Sequence, residues 1–330
     1  MIKKNNIFIV AEAGNNHEGN FNTAKKLIDK ASESGADAIK FQTYDVDNFI
    51  DPKFKKSYEK FKKFSLSYEE FYKLSQHCKK KNIIFFSTPF DLKSAIFLNK
   101  IQKIFKISSG DNNFTDLISL VASFNKDLII SSGLLKLKDL KNIYKLIKKI
   151  RGKNLKLSFL HCVSSYPTPL DYINLANIKM IKENFSDVNV GLSDHTIGIK
   201  APIYAALVGA KIIEKHFTLD NKFSNFRDHA LSLNPKDFRK MVDQIREAER
   251  ILGNNKKLVL PFEKKNLTSM RRSAYSSRIL KKGQILGKKD IIYLRPGGGI
   301  DEKEVKKILG KKIKVKIGKV KLIQKNFFNT

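Results

Sequence analysis

Two cysteines, Cys78 and Cys162, are all that the 330 residues contain, and they are not spaced as CxxC. That excludes a disulfide framework and a cysteine-based zinc cluster. No stretch approaches the roughly 18 consecutive apolar residues that a membrane-crossing helix needs. The opening MIKKNNIFIV is basic and then apolar, but its apolar run is too short for a signal peptide and leads straight into Ala11, Glu12 and Ala13. The expectation is a soluble cytoplasmic protein with no membrane partner.

Acidic residues are also scarce, 32 against 64 Lys and Arg, for a formal net charge of +32. Residues 256–330 hold 22 Lys and Arg against 5 Asp and Glu, net +17, which leaves 42 against 27, net +15, for residues 1–255. Such a balance suits nucleic acid, an anionic surface or anionic small substrates. No aromatic-interleaved basic patch or nucleic-acid motif accompanies it, and the lysines are scattered over helical faces, so nucleic acid is not expected as a partner. Lys, Asn, Ile and Phe are abundant throughout, as AT-rich coding would produce. The charge is either that composition or a field that steers anionic substrates.

What is present is a repeated alternation of short apolar runs and amphipathic stretches. The strand-like runs are 7–14, 38–43, 83–89, 104–110, 128–133, 157–164, 188–194 and 211–218. Helical stretches follow each, among them one capped near Asn22 and Thr23 and closed by Gly35, one from Tyr68 to Lys81 behind the cap Ser67, and one from Pro235 to Leu252. Between the second strand and its helix lies a long polar insertion. Eight βα units with strands apolar on both faces predict a (β/α)₈ TIM barrel over residues 1–255, the alternative being a doubly wound open sheet. Residues 256–272 read as a linker and 273–330 as a small β-rich domain, in which Lys311–Ile323 alternates Lys with Ile or Val as a half-exposed strand would.

Polar residues fall at the C-terminal ends of the predicted strands: Glu12; Lys40 and Gln42; Ser87 and Thr88; Lys106, Ser108, Ser109 and Asp111; Ser131 and Ser132; His161 and Ser164; Ser193, Asp194 and His195; Lys215 and His216. In a (β/α)₈ barrel that face carries the active site. Lysines, hydroxyls and glycine-rich turns together suit a phosphate, and a lysine inside an apolar strand implies an anionic partner. His195 and His216 end consecutive strands, where neutral imidazoles could share a transition metal or simply be hydrogen-bonded interior histidines.

The segments AEAGNNHEGN, KFQT, STPF, KISSGD, SSGL, HCVSSYPTP, GLSDHT and EKHFT, followed by SSRILKKGQIL and YLRPGGGI, resemble the N-acetylneuraminate (sialic acid) synthase family, including its pseudaminic and legionaminic acid relatives. The resemblance spans nearly the whole chain and extends to a small antifreeze-like (SAF) C-terminal domain. It implies condensation of phosphoenolpyruvate with the open-chain aldehyde of an N-acetylmannosamine-type sugar, giving a nine-carbon 2-keto acid and phosphate. Lys40, Thr88, Lys106, Ser109, Ser131, Ser164 and Ser193 would hold phosphoenolpyruvate, and Gln42 and Tyr166 would face the sugar. His195 and His216 would bind Mn²⁺, with Mg²⁺ or Co²⁺ as alternatives. Glu12, Asp111 and Asp228 would order or deprotonate the water. The resemblance also implies a domain-swapped homodimer, in which Arg295 of the small domain reaches the sugar's acyl group across the subunit boundary.

Two departures bear on the sugar. Where the family often has Gly-Pro-Asp-His, this chain reads Asn225, Phe226, Arg227, Asp228, His229. Asp111 also stands where glutamate is usual after SSG, shortening the carboxylate by one methylene. Another phosphoenolpyruvate-dependent barrel synthase acting on a different aldehyde is the enzymatic alternative.

Overall fold

A computed structural model describes residues 6–254 and 256–328. The chain divides into two compact units after Gly253. In the first, the parallel strands are β1 (Phe8–Gly14), β2 (Ala38–Thr43), β3 (Ile84–Pro89), β4 (Ile104–Ile107), β5 (Asp127–Ser131), β6 (Leu157–Cys162), β7 (Asn189–Asp194) and β8 (Ile212–His216). They pair in the order β3-β2-β1-β8-β7-β6-β5-β4. Pairing of the first strand with the last, Phe8 with Ile212 through Glu12 with His216, rules out the doubly wound sheet and makes a TIM barrel.

The two ends of this ladder, β3 and β4, lie in contact. At that seam the buried Gln102 amide acts in place of a strand: its oxygen accepts from Ser87 N–H at 2.8 Å and its nitrogen donates to Ser87 C=O at 3.1 Å. Buried backbone groups on β3 thereby keep partners.

Strand pleating sorts the side chains. Phe8, Val10, Ala38, Phe86, Ile104, Ile129, Leu160 and Ile212 form one apolar cluster inside the barrel. Two residues further along each strand, on the same face, come Glu12 after Val10, Lys40 after Ala38, Thr88 after Phe86, Lys106 after Ile104, Ser131 after Ile129, Cys162 after Leu160 and Glu214 after Ile212. The apolar layer is therefore capped by a polar one. The opposite face of every strand packs against the helices in a separate, larger core.

Helix α1 (Phe21–Glu33) is capped by Asn20, whose side chain accepts from Thr23 N–H at 2.9 Å. The cap is thus earlier than the expected Asn22–Thr23, because the left-handed Glu18 and Gly19 turn the chain just before it. The expected polar insertion contains a helix, α2 (Lys55–Phe64), whose aromatic residues pack inward. Phe61 meets Tyr44 and Phe49 with ring centroids 5.6 and 5.2 Å apart, and Phe49 meets Phe90 at 4.6 Å. Polar composition concealed this one-sided apolar face. Helix α3 (Tyr68–Lys80) begins with a Ser67–Glu70 capping box. The helices α4 (Leu92–Ile101), α5 (Thr115–Ser123), α6 (Leu137–Arg151), α7 (Ala176–Asn184), α8 (Lys200–Leu207), α9 (Arg227–Leu231) and α10 (Pro235–Leu252) complete the unit. Among the described residues no helix is long and apolar enough to cross a membrane.

Among its described residues the second unit contains three short helices, Pro261–Lys264, Asn266–Met270 and Glu302–Val305, and one antiparallel ladder, β9 (Ser273–Ser276) with β10 (Ile291–Leu294). Its core gathers Leu280, Leu286, Ile300, Ile308, Ile313, Ile317 and Ile323. The stretch Lys311–Ile323 is not the expected strand but a series of turns joined by isolated bridges. Ile313 and Ile317, four apart, are buried, whereas Val315 between them is 43% exposed and Val320 has φ +54. A strand would have placed 313, 315 and 317 on one face.

Candidate active site

The barrel's C-terminal face opens into a cavity of about 200 Å³. Four buried charges line its floor. Lys40 Nζ lies 2.9 Å from Glu12 Oε2 and 3.7 Å from Glu214 Oε2, and Lys106 Nζ lies 3.2 Å from Glu214 Oε1. Ser193 Oγ donates to the same Glu214 oxygen at 2.9 Å, and Thr88 Oγ1 accepts from Lys40 at 3.2 Å.

These groups set one another's protonation. Burial pushes Glu12 up to about 6 in spite of Lys40. Burial also opposes ionisation of Glu214, but Lys106, Lys40 and the Ser193 hydroxyl outweigh it and hold the carboxyl at about 2. Burial lowers Lys106, while for Lys40 the two glutamates overcome the same penalty and raise it. The floor thus presents two ammonium groups to an incoming anion, with a carboxylate between them and, at Glu12, a carboxyl able to hold a proton near neutrality.

The end of β5 and the loops after β4 and β6 supply hydroxyls beside this floor. Ser131 Oγ and Ser164 Oγ are buried without a hydrogen-bond partner, and Ser109 Oγ accepts from Gly133 N–H at 3.1 Å. A Cβ on Gly133 would come within 2.3 Å of Ser164 Oγ and 2.6 Å of Ser109 Oγ, so only glycine lets these loops close on one another. Ser109, Ser131 and Ser193 line the cavity, as do Gln42, Tyr166 and Asp228. Gln42 donates to Glu12 at 3.2 Å and accepts from Asn15 at 2.8 Å. The Tyr166 ring lies 4.1 Å from that of His195 and under the Arg227 guanidinium, at 4.4 Å.

Not every expected residue reaches the cavity. Thr88 is fully buried beneath it and holds Lys40, and Ser164 stands behind Gly133. Asp111 does not line it; its carboxylate accepts from Ser108, and burial raises its pKa. His161, Asp194 and Lys215, expected at the same opening, are turned by the pleat to the outer face. There His161 Nε2 meets Ile173 C=O at 2.6 Å and Lys215 meets Asp194 at 2.6 Å. Arg295 is exposed in the second unit, where it precedes the cis Pro296.

Several lining residues were not anticipated. Glu214 is the clearest: in KIIEKH it sits two residues before His216, so strand alternation would have put it beside the histidine. Cys162 follows the same parity. Phe49, Phe61, Phe90 and Phe226 form an apolar wall, with Lys60 and Arg227 among them. Folding of the β2–α3 insertion onto the barrel brings Phe49 and Phe61 to the mouth, where Phe90 follows β3 and Phe226 precedes α9.

The His195 and His216 rings are 5.4 Å apart. His195 Nδ1 meets Val163 C=O at 2.9 Å, which directs the other ring nitrogen elsewhere, and His216 Nδ1 is buried with no partner. Burial, followed by the neighbouring positive charges, holds His216 well below its usual range, keeping its imidazole neutral. Such an unpartnered buried nitrogen fits a divalent transition metal. Among the described residues no group of three or more His, Cys, Asp or Glu converges on one point. Two imidazoles would thus be the protein's share of the shell.

Residues 27–257 match the model of the NeuB family. The chain belongs to that family. It is 37% identical to the N,N'-diacetyllegionaminic acid synthase of Campylobacter jejuni, over 92% of this chain and 94% of the relative. An uncharacterized protein of Methanocaldococcus jannaschii shares 44% identity over 93% of this chain and 90% of its own length. Among solved structures, the N-acetylneuraminic acid synthetase of Leptospira borgpetersenii superposes with a TM-score of 0.74 at 34% identity, covering 80% of this chain and 90% of that one. As a NeuB family member, the chain belongs among the nonulosonate synthases.

Proposed function

We propose that this barrel condenses phosphoenolpyruvate with the open-chain aldehyde of an N-acylated amino sugar, giving a nine-carbon 2-keto acid and phosphate. The convergence of Lys40, Lys106 and the unpartnered Ser131 hydroxyl with the His195–His216 pair in one cavity carries this reading. Lys40 and Lys106 take the charges of phosphoenolpyruvate, with the unpartnered Ser131 hydroxyl donating to its oxygens and Ser109 and Ser193 doing so once their hydroxyls turn from Cys162 and Glu214. Gln42 and Tyr166 orient the sugar so that its aldehyde carbon meets the enol carbon. Glu12 and Asp228 order the water that adds to the former enol phosphate carbon, whose C–O bond then breaks to release phosphate and leave the ketone, and Glu12, poised near 6, can hold the proton that the water sheds. His195 and His216 would hold a divalent ion, Mn²⁺ first, which would supply Lewis-acid polarisation of the aldehyde oxygen.

A second reading of the sugar, a 6-deoxy diacetamido hexose, is favoured by the Phe49–Phe61–Phe90–Phe226 wall. A methyl group in place of a hydroxymethyl loses less on leaving water for such a surface. The test is mass spectrometry of products from phosphoenolpyruvate with a panel of N-acetylmannosamine and 6-deoxy diacetamido hexoses. A nine-carbon 2-keto acid with stoichiometric phosphate is expected from at least one sugar. No phosphate release with any of them would reject the reading.

The homodimer belongs to the same proposal, with Arg295 serving the partner's site. Exposed Leu258, Phe262 and Met270 in the segment ahead of β9, at 62%, 68% and 62%, support a covering partner. Once subunit exchange is demonstrated, mixing Arg295→Ala with His195→Ala subunits is expected to recover activity that neither shows alone. A mixture as inactive as its parents would place Arg295 outside the partner's site.

A further inference from the structure

We infer that the buried Asp194–Lys215 ion pair, with Thr196, is a positioning device that fixes the separation of His195 and His216. The inference rests on the reading of those histidines as holders of a divalent ion.

Strands β7 and β8 pair over only four rungs, Gly191–Asp194 against Ile212–Lys215, and the last rung is Asp194 opposite Lys215. A histidine is the next residue on each chain. His216 ends β8 and is further tied through its carbonyl, which accepts from Leu233 N–H at 2.8 Å. His195 lies one residue beyond β7, where the ladder no longer holds it. On the β8 side its place therefore depends on what anchors the residues either side of it, its own bonds running to Val163 and Thr168 on the β6 side.

Both are anchored to Lys215. Asp194 Oδ2 lies 2.6 Å from Lys215 Nζ and accepts from Thr196 Oγ1 at 3.1 Å, while Asp194 Oδ1 accepts from Thr196 N–H at 3.0 Å. Lys215 also donates to the Thr196 carbonyl. Residues 194 and 196 are thus clamped to the residue that precedes His216, and the His195 carbonyl accepts from Thr168 N–H at 3.0 Å on the other side.

The Asp194 and Lys215 side chains are 0% exposed and are not among the residues lining the cavity, so they do not meet substrate. Nor does stability account for them, since an apolar pair of similar volume is commonly as stable as a buried ion pair. What the charges add is direction: the pair closes with Asp194 opposite Lys215, and a slip of either strand by one residue would send its histidine to the wrong face. Outer-shell groups that orient metal-holding imidazoles typically affect metal affinity by about 10- to 100-fold.

The test pairs Asp194→Asn with Lys215→Met, which keeps an acceptor for Thr196 N–H and leaves no unpaired buried charge. Mn²⁺ binding is measured by calorimetry and electron paramagnetic resonance beside the melting temperature. The double variant is expected to stay folded while its Mn²⁺ dissociation constant rises about 10- to 100-fold, with kcat falling more than the KM for phosphoenolpyruvate rises. Thr196→Val, a milder change that removes one hydroxyl, is expected to weaken Mn²⁺ binding in the same direction. Arg246→Met is the control. Arg246 bonds Ile7 C=O, Asp37 and Glu249 around the start of β1, and its loss is expected to lower the melting temperature without altering Mn²⁺ affinity. Wild-type Mn²⁺ affinity in the folded double variant, or in Thr196→Val should the double variant not fold, overturns the clamp alone. Failure of the wild type to bind Mn²⁺ overturns the clamp and the metal reading together, and leaves phosphoenolpyruvate condensation to the product test.

Discussion

Replacing His216 by alanine is expected to cut kcat about a thousandfold or more while the protein stays folded. Lewis-acid stabilisation is worth several kcal/mol and each ~1.4 kcal/mol is tenfold, which sets the scale. The fold loses little, because His216 Nδ1 makes no hydrogen bond and the ring borders the cavity, so the deleted volume adjoins open space. For a domain of this size each ~1 kcal/mol lost lowers the melting temperature by about 2–4 °C, and a shift of that order is expected. His195→Ala should be as inactive and somewhat less stable, because it also removes the bond to Val163 C=O. Chelation of the wild type should abolish turnover, with Mn²⁺ restoring it. Full turnover after exhaustive chelation would contradict the metal role.

The second large effect is expected from Lys106→Met. A charge-assisted contact to phosphate is worth roughly 1.5–3 kcal/mol, so the KM for phosphoenolpyruvate should rise about 10- to 150-fold, with little change for the sugar. The structure supplies a rival explanation, since Lys106 also compensates Glu214. Breaking one member of a buried pair typically costs about 3–5 kcal/mol of stability and could disturb the site indirectly. Lys106→Met combined with Glu214→Gln separates the two, because it leaves no orphaned carboxylate. Stability should recover in the double variant while phosphoenolpyruvate binding stays weak, and the coupling between the two changes is read as a double-mutant cycle. Recovery of both would assign Lys106 to holding Glu214 rather than the substrate.

A pocket whose fixed charges nearly cancel has a bearing on the excess of lysine. With Glu12 and Glu214 ionised, the floor carries two positive and two negative charges. Lys60 and Arg227, which line the same cavity, outnumber its remaining acid, Asp228, by one. Attraction of an anion from solution therefore falls to these groups and to the wider positive field of the protein, while Lys40 and Lys106 act at contact distance.

Local signals carried most of the architecture. Two-sided apolar strands, the Ser67 capping box and the Asn234–Pro235 start of α10 are written in short segments, because hydrogen-bond capping and side-chain periodicity act over a few residues. The clustering of polar residues at strand ends was legible for the same reason, and the order of the motifs along the chain identified the family. Tertiary structure decided which of those polar residues share a space. A strand presents alternate residues to opposite sides, so Glu214 and His216 enter the barrel while Lys215 between them turns outward to Asp194. Closure was equally invisible in any one segment, since Gln102 stands in for a strand partner of Ser87 only once β3 and β4 meet. In the second unit, alternation of Lys with Ile and Val suggested a strand. The chain there buries Ile313 and Ile317 but not Val315, because turns and isolated bridges, not a continuous ladder, determine which side chains face its core.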